Sequence, residues 1–426
     1  MKIAIAGYGL EGESNYLYWS LDSSNEITIA DQKNPERELP SGVSTIIGDD
    51  AFEKLQGFDL VIRTAGLAPR KIKTDGKIWS ATNEFFSKCP APIIGITGSK
   101  GKSTTASLIA NILEYSGRNV WLLGNIGKSS LDVLGDVQQS DIVVYELSSF
   151  QLWDLEKSPH VAVVLFIEQE HLDVHMSMAE YVDAKANITK YQDEGDILIY
   201  NQSNQYSSYI AKNSEAQLIG YTDLTTAHVA EGNFYYGEQI ICSTDLLKIM
   251  GKHHQDNACA AINAVWQFTH DVDVITKGIS SFVGLPHRLC FIREVDDVSY
   301  YDDSIATTPS AAIGALRSFD KPKVIILGGS SKGSDFTELG KELVTQGAKA
   351  ILIGDEAENI ALACKNAGFI DFEIMQDPSM PKIVKRAKDL SEPGGVVLLS
   401  PASASFGLFK NYADRGEQFE AAVQAL

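Results

Sequence analysis

The sequence contains few cysteines, and they follow no pattern that a cross-linked or metal-bound scaffold requires. The five cysteines are scattered and show no C-x-x-C spacing, which argues against a disulfide framework or a zinc site. No stretch approaches the roughly 20 apolar residues of a membrane-spanning helix, and the N-terminal apolar run is too short for a signal peptide. We therefore expect a cytoplasmic protein with reduced thiols and no membrane partner. The cysteines are Cys89, Cys242, Cys259, Cys290 and Cys364.

Basic residues are also sparse. The chain has 36 Lys and Arg against 56 Asp and Glu, a formal net charge of −20, and no basic cluster. Nucleic acid is therefore excluded as the main partner, because a polyanion needs a broad basic surface. A small anionic substrate stays possible, since a few cations in a cleft act locally while the net charge is screened within about 8–10 Å. The length of 426 residues predicts two to four domains.

The N-terminal segment carries a glycine turn after a short apolar strand. Gly7-Tyr-Gly9-Leu-Glu-Gly12 is a G-x-G-x-x-G pattern, and Asp31 follows a second predicted strand at 26–30. Strand, glycine turn, helix, strand and acid form the dinucleotide-binding fingerprint, so an oxidoreductase using NAD(P) is one interpretation. A mononucleotide or nucleotide-sugar site is the other. Thr64 follows the predicted strand 59–63, at an edge where ligands lie in parallel sheets.

A second glycine-rich loop lies between a predicted strand and a predicted helix. It reads Gly95-Ile-Thr-Gly-Ser-Lys-Gly-Lys-Ser-Thr-Thr105. Such a loop turns backbone N–H groups toward phosphate oxygens, and the helix N-terminus adds partial positive charge. Lys102 is then expected at the β/γ-phosphates and Ser103 at Mg²⁺. The loop is a variant of the usual motif, because Gly98 lies only three residues before Gly101.

Apolar runs alternate with helical patterns along most of the chain, which predicts an α/β fold with a mostly parallel sheet. Prolines at 90 and 92 and the Gly284-Leu-Pro286 segment interrupt these patterns. The predicted domains are therefore 1–90, 91–284 and 285–426. The predicted strands include 2–7, 44–47, 93–94, 119–123, 141–145, 161–167, 197–201, 216–221, 232–242, 299–301, 323–327, 350–353 and 395–399, and the predicted helices include 178–191 and 254–269.

Several chemistry-bearing side chains lie at predicted strand ends. Glu146 ends the strand 141–145, where a carboxylate can order Mg²⁺ on a nucleotide. His171 is predicted at the end of the next strand and so on the same rim. Lys185 lies in a predicted helix, where the residue pattern alone favours a solvated lysine. Arg288 can neutralise a phosphate or form a surface pair. Ser403 and Ser405 offer hydroxyls without a nearby histidine, so they form no nucleophile elbow.

These motifs together resemble the Mur ligase family of peptidoglycan synthesis. They span nearly the whole chain in the family's order. The Ser-Pro-Ala-x-Ala-Ser segment at 400–405, with the Phe-Lys-Asn-Tyr-x-x-Arg-Gly run at 409–416, is similar to the branch that adds D-glutamate. The other motifs that support the resemblance are the glycine-rich loop at 95–105 (the phosphate loop), Gly124-Asn-Ile-Gly127, Glu146-Leu-Ser-Ser-Phe-Gln151, His171-Leu-Asp173, Ala184-Lys185, Gly284-Leu-Pro-His-Arg288, Asp303-Ser304, Leu327-Gly-Gly329 and Lys332-Gly333.

The resemblance implies an N-terminal Rossmann-like domain that binds a UDP moiety, a central P-loop ATPase and a C-terminal Rossmann-like domain. It implies ATP and two Mg²⁺ ions as cofactors, and UDP-N-acetylmuramoyl-L-alanine and D-glutamate as substrates. We expect a monomer. Lys102, Glu146, His171 and Lys185 would be catalytic. The metals would be held by Ser103, Glu146, His171 and a carbamylated Lys185. The nucleotide contacts would be Gly98, Ser99, Lys100, Gly101, Lys102, Ser103, Thr104, Asn257, Arg288 and Asp303. The substrate contacts would be Gly9, Leu10, Asp31, Thr64, Asn125, His287, Thr307, Lys332, Ser405, Phe406 and Tyr412.

The sequence departs from the family's pattern in a few places. Lys100 stands where asparagine is usual and adds a charge beside the phosphates, Glu170 replaces an aspartate, and Ile305 replaces a lysine. Glu11 and Glu13 place acidic groups near the expected diphosphate. A ligase of the same fold that adds another amino acid or acts on folate is the alternative within the enzyme class.

Overall fold

The computed structural model describes residues 1–426 except Glu36, Asp173, Met250, Lys252 and Lys332. These residues divide into two compact units, Met1–Phe282 and Val283–Leu426. The α/β class predicted from the sequence is confirmed, with sheets that are mostly parallel. None of the described helices combines the length and the apolar character needed to cross a membrane.

The first sheet of the larger unit is parallel, with strand order β3-β2-β1-β4-β5. The central strand is completely buried beyond its first residue, as expected for a parallel strand covered on both faces. The loops that follow β1 and β4 lie side by side at the carboxyl edge, where the strand order reverses. The elements are β1 Lys2–Ala6, α1 Leu10–Trp19, β2 Glu26–Asp31, β3 Ser44–Ile47, β4 Leu60–Arg63, β5 Lys77–Ser80 and α2 Ala81–Lys88.

The second sheet of this unit is also parallel, in the order β11-β10-β9-β6-β8-β7. Apolar side chains of α3, α8 and α9 pack on one face, and α2, α5 and α6 contribute to the core on the other. The elements are β6 Ile93–Thr97, α3 Lys102–Glu114, β7 Val120–Gly124, α4 Ser130–Val133, β8 Ile142–Glu146, α5 Ser149–Leu152, β9 Val161–Val164, α6 Met178–Ala186, β10 Ile197–Asn201, α7 Gln205–Lys212, β11 Gln217–Tyr221, β12 Ala227–Ala230, β13 Asn233–Tyr236, β14 Gln239–Ser243, α8 His253–Trp266 and α9 Val272–Ser281.

Three expectations for this region are wrong in extent. The strand predicted over 161–167 ends at Val164, the helix predicted over 178–191 ends at Ala186, and the helix predicted over 254–269 ends at Trp266. The turn-rich stretch 232–242 forms two strands of a small antiparallel sheet, β12-β13-β14. Its helix neighbour α8 covers it through buried alanines and Val265.

The described residues of the smaller unit form one sheet in the order β15-β16-β20-β17-β18-β19. The β15–β16 pair is antiparallel and the remaining pairs are parallel. The loops after β16, β17 and β20 therefore meet at one carboxyl edge. The elements are β15 Cys290–Val295, β16 Val298–Asp302, α10 Pro309–Arg317, β17 Lys323–Gly328, α11 Thr337–Gln346, β18 Lys349–Ile353, α12 Ala357–Asn366, β19 Phe372–Ile374, α13 Met380–Leu390, β20 Val396–Leu399 and α14 Tyr412–Gln424.

Close packing of α9 on α3 yields a first prediction. A Cβ at Gly278 would lie 2.5 Å from the Cα of Ile112, so Gly278→Ala must push the helices apart. We expect a loss of about 1–3 kcal/mol, the usual cost of overpacking. Gly314 in α10 has open space at its Cβ position, so Gly314→Ala should be neutral or stabilise by up to about 1 kcal/mol. Denaturant midpoints of both variants check this, and equal midpoints would contradict the packing argument.

Candidate active site

Two glycines shape the loop between β6 and α3. Gly98 has φ 152° and Gly101 has φ 88°, backbone conformations that other residues rarely adopt. A Cβ at Gly98 would lie 2.8 Å from the Cβ of Leu165, and one at Gly101 would lie 2.5 Å from Oδ1 of Asn257. The loop thus requires glycine for both conformation and space. It also brings the predicted nucleotide contact Asn257 against the start of α3.

The carbonyl oxygen of Gly98 accepts hydrogen bonds from two lysines. Nζ of Lys102 donates to it at 2.9 Å and to the carbonyl of Ser99 at 2.8 Å. Nζ of Lys185 donates to it at 2.7 Å and lies 3.4 Å from Oγ1 of Thr97. Lys102 and Lys185, 83 residues apart in the sequence, therefore meet at the phosphate loop.

Lys185 is not the solvated lysine that the helix pattern favours. Its side chain is only 1% exposed, and its ammonium lies 4.5 Å from the centroid of the Tyr181 ring. Burial, followed by the nearby charge of Lys102, holds the pKa of Lys185 well below its usual value. An amine with such a pKa is a better nucleophile near neutral pH than an ordinary lysine.

Glu146 ends β8, as predicted, and has an unused carboxylate oxygen. The residue is 1% exposed, and its Oε1 accepts a hydrogen bond from Nδ2 of Asn125 at 3.3 Å. Its Oε2 is buried and has no hydrogen-bond partner among the described residues. A buried carboxylate oxygen without a partner is costly unless a cation or donor satisfies it. The donor set therefore fits Mg²⁺, which prefers oxygen ligands and keeps other positions for water or phosphate.

His171 lies farther from its strand than predicted. β9 ends at Val164, and His171 follows in a loop with φ 56°. Its ring lies 5.0 Å from the Phe150 ring, and its Nε2 is 3.9 Å from Oε2 of Glu170. Among the described residues, no group of three or more His, Cys, Asp or Glu side chains is arranged to hold a metal alone. A metal at this loop would depend on hydroxyls and phosphates as well.

The unusual lysine of the loop pairs with a carboxylate. Nζ of Lys100 lies 2.5 Å from Oε1 of Glu168, and its side chain is 75% exposed. Ser99 is turned inward instead, where its Oγ lies 2.9 Å from the hydroxyl of Tyr181 and accepts from the backbone N–H of Glu168 at 3.0 Å. The Tyr181 hydroxyl in turn donates to Glu170 at 3.2 Å. Ser103 and Thr104 occupy the first turn of α3.

The glycine turn of the first sheet also lies between a strand and a helix, β1 and α1. The backbone N–H of Tyr8 donates to Oδ2 of Asp31 at 2.8 Å, and Gly9 precedes the first residue of α1, the exposed Leu10. The hydroxyl of Thr64 donates to the carbonyl of Ala6 at 3.2 Å. The predicted substrate contacts Gly9, Leu10, Asp31 and Thr64 thus surround one carboxyl edge.

The two acidic residues near this turn are already engaged. Oε2 of Glu11 accepts from the backbone N–H of Ala65 at 2.8 Å, and burial raises the pKa of Glu11. Glu13 forms an ion pair with Arg37. Neither carboxylate therefore stands unpaired beside an expected diphosphate.

The smaller unit brings its own predicted residues together. Oδ1 of Asp303 accepts from the backbone N–H of Leu289 at 3.2 Å, and Oδ2 accepts from the Ser400 hydroxyl at 2.6 Å. Burial raises the pKa of Asp303 to about 7. Nδ1 of His287 lies 2.6 Å from Oδ2 of Asp302. His287 and Asp302 therefore form a close pair beside Asp303.

A buried arginine joins the loops at this edge. Arg415 is fully buried, and its guanidinium donates to the hydroxyl of Ser304 at 2.9 Å, to the carbonyl of Ser304 at 2.7 Å and to the carbonyl of Ser403 at 3.1 Å. Burial lowers its pKa to about 10, so it stays charged at neutral pH. A Cβ on the next residue, Gly416, would lie 2.6 Å from Oδ2 of Asp302, so the His287–Asp302 pair requires glycine there.

Two family models match the chain, one within each of its two compact units. The Mur ligase middle domain model matches residues 96–265, and the model of the Mur ligase glutamate ligase domain matches residues 287–403. UDP-N-acetylmuramoylalanine--D-glutamate ligase of Clostridium tetani is 36% identical, over 100% of this chain and 97% of its own length. The enzyme of the same name from Clostridium perfringens is 34% identical, over 99% and 96%. The chain belongs to the Mur ligase family.

Solved structures agree at the level of the fold. The structure of MurF from Acinetobacter baumannii matches this Mur ligase with a TM-score of 0.64, at 16% identity, over 100% of this chain and 90% of its own. At that identity the match supports the α/β architecture alone.

Sequence reasoning missed three charged residues that organise this Mur ligase. Arg63 and Arg415 are fully buried and bind partners 91 and 111 residues away in the sequence. Asp302 is nearly fully buried and binds His287, 15 residues away. Arg415 stood within a motif that was recognised without a role for it. Of the other predicted residues, Thr307 is partly exposed, Ser405 is buried, Phe406 and Tyr412 are exposed, and Lys332 lies outside the described residues.

The pKa of Asp303 gives a second prediction. Between its usual pKa of 3.8 and about 7, the folded unit holds a proton that the unfolded chain releases. The contribution of Asp303 to stability is therefore lost as the pH rises through that window. We expect the unfolding temperature of Asp303→Asn, relative to wild type, to rise from pH 5 to pH 8. The exposed Asp371 of the same unit supplies a control, Asp371→Asn, for which this difference should stay flat. A flat difference for Asp303→Asn as well would refute the assignment.

Proposed function

We propose that this Mur ligase joins D-glutamate to UDP-N-acetylmuramoyl-L-alanine with ATP, in the synthesis of peptidoglycan precursors. The observation that carries the proposal is the phosphate loop, where Lys102 and the buried Lys185 share the Gly98 carbonyl. The curated relatives that carry the D-glutamate ligase name cover essentially the whole chain. The dinucleotide-dependent oxidoreductase considered for the Gly7 turn has no such support.

The chemistry requires activation because a carboxylate does not react with an amine at neutral pH. The carboxylate oxygen of the alanyl residue attacks the γ-phosphorus of ATP, and ADP leaves. The free amine of D-glutamate then attacks the carbonyl carbon of the acyl phosphate and loses a proton. The tetrahedral intermediate collapses to the amide and releases inorganic phosphate. Stabilising the charge on the transferred phosphoryl group is the main catalytic task in such transfers.

The residues of the phosphate loop supply that stabilisation in our proposal. Lys102 moves from the loop carbonyls to the β/γ-phosphates, while Gly98, Ser99, Lys100, Gly101, Ser103 and Thr104 contact the nucleotide. Two Mg²⁺ ions, held by Ser103 with Glu146 and by His171 with Lys185, would neutralise phosphate charge. The unpartnered Oε2 of Glu146 supports the first of these sites. For Lys100 the exposed pair with Glu168 supports a weaker role than for its neighbours.

Carbamylation of Lys185 is part of the proposal. Its buried amine has a depressed pKa and is the neutral nucleophile that carbon dioxide requires. The amine nitrogen bonds to the carbon of CO₂ and releases one proton, which leaves a carbamate anion on the side chain. That change places two acceptor oxygens, the ligand type that Mg²⁺ prefers, beside Lys102.

The domains at 1–90, 91–284 and 285–426 are proposed to bind the UDP moiety, ATP and D-glutamate. The strand order β3-β2-β1-β4-β5 supports the first, because it places the β1 and β4 loops at a topological switch point. The remaining proposed nucleotide contacts are Asn257, Arg288 and Asp303, and the proposed substrate contacts are Gly9, Leu10, Asp31, Thr64, Asn125, His287, Thr307, Lys332, Ser405, Phe406 and Tyr412.

A third prediction tests the reaction directly. Phosphate release from ATP with UDP-N-acetylmuramoyl-L-alanine should depend on D-glutamate, and L-glutamate should not replace it. Lys102→Ala should lower kcat at least about a hundredfold, since one preorganised group for transition-state charge contributes about 3–4 kcal/mol. The exposed Lys190 provides the matched variant, Lys190→Ala, with wild-type turnover expected. Wild-type release that ignores D-glutamate would overturn the proposal.

A fourth prediction concerns Lys185. Lys185→Ala should lose most activity, and formate or acetate should restore part of it by replacing the carbamate oxygens. Wild type exposed to ¹³CO₂ should show a carbamate signal by NMR that is missing in Lys185→Ala but present in Lys190→Ala. Full activity of Lys185→Ala, or no difference between the two spectra, would show that Lys185 carries no carbamate.

A further inference from the structure

Arg63 is a completely buried cation at the end of β4, and the reaction as proposed assigns it no role. Its side chain is 0% exposed, and that of its partner Asp154 is 20% exposed. Nε donates to Oδ2 of Asp154 at 2.6 Å, and Nη2 donates to Oδ1 at 2.5 Å. This two-pronged geometry is specific to a guanidinium facing a carboxylate.

The rest of the guanidinium faces the loop that follows β4. Nη1 lies within hydrogen-bonding distance of three carbonyl oxygens, those of Thr64 at 3.4 Å, Ala65 at 3.4 Å and Leu67 at 3.3 Å. The backbone N–H of Ala65 donates to Glu11 of α1 from the same loop. Arg63 therefore determines the path of residues 64–67, which include the proposed substrate contact Thr64.

Arg63 also contacts a segment of the second sheet's region, which is proposed to bind ATP. Nη2 donates to the carbonyl of Phe150 at 2.8 Å. Phe150 belongs to α5, the short helix that follows β8 and its terminal Glu146. The Phe150 ring lies 5.0 Å from the ring of His171 and stacks at 5.4 Å on His175. A single side chain thus contacts both the loop expected at the UDP moiety and the helix beside the expected metal ligands.

We propose that Arg63 is a positioning residue that holds the 64–67 loop in register with α5. Its loss would therefore weaken binding of the UDP substrate while leaving the nucleotide site intact. The inference rests on the proposed function, because it takes the loop as a substrate contact. Lysine cannot replace Arg63, since one ammonium cannot contact Asp154 in two places and also reach three loop carbonyls.

Arg70 offers a matched control in the same part of the chain. It donates to Oε1 of Glu180 at 2.8 Å and to the carbonyl of Val174, so it also joins the first sheet's loops to the second half of the unit. Its side chain is 36% exposed, and it makes no hydrogen bond to residues 64–67 or to Phe150 within the described chain. Arg70→Lys, like Arg63→Lys, keeps the charge and replaces a guanidinium with an ammonium.

The fifth prediction compares Arg63→Lys, Arg70→Lys and wild type. We expect Arg63→Lys to raise KM for UDP-N-acetylmuramoyl-L-alanine about tenfold or more, because small misplacements of binding groups have effects of this size. Calorimetric affinity for UDP should fall in parallel, while affinity for ADP should stay within about twofold of wild type. Arg70→Lys should change neither.

Asp154→Asn is a second variant in case Arg63→Lys folds poorly, because it keeps the arginine and the shape of its partner. It should shift KM in the same direction by a smaller factor. A lowered unfolding temperature with unchanged KM and UDP affinity in both variants would make Arg63 a purely structural residue. Failure of the proposed function is distinguishable, since it would appear as wild-type phosphate release that does not depend on D-glutamate.

Discussion

The carbonyl oxygen of Gly98 and the two ammonium groups bound to it determine how the phosphate loop is built. Two ammonium groups at one oxygen repel each other, and the tight turn that holds them there depends on glycine. Burial, followed by that repulsion, holds the pKa of Lys185 well below its usual value. The geometry of the loop and the chemistry of its two lysines are therefore consequences of one arrangement.

The fold was largely predictable from the sequence because most strands are parallel and buried on both faces. Such strands appear as apolar runs, and those at 44–47 and 197–201 match the structure in both bounds. The small antiparallel sheet around β13 was harder to predict, since its half-exposed strands lack a continuous apolar run. The end of α6 at Ala186 was not predicted, for a different reason. Apolar residues continue the helical pattern beyond Ala186, but they pack into the core from turns.

Residues of the candidate site were predictable where their positions follow from the local sequence. Gly98, Gly101 and Lys102 lie in one loop, and Glu146 ends a strand that the sequence showed clearly. Lys185 was different, because a lysine on a helix is usually solvated and only the packed structure places it under Gly98. Arg63, Asp302 and Arg415 were missed for the same reason. Burial of a charge is decided by partners such as Asp154, 91 residues away, and no local pattern contains that information.

A chain with a net charge of −20 nevertheless has cations where anionic ligands are expected. Its surface acids are screened over about 8–10 Å in physiological salt, whereas a charge held inside protein is screened much less. Arg63 and Arg415 are each 0% exposed, and each lies beside a loop where a ligand is expected. Arg415 binds two carbonyl oxygens and a hydroxyl, which orient a cation without neutralising it. The local field at these loops is therefore set by a few buried groups, and it can be positive although the whole molecule is strongly acidic.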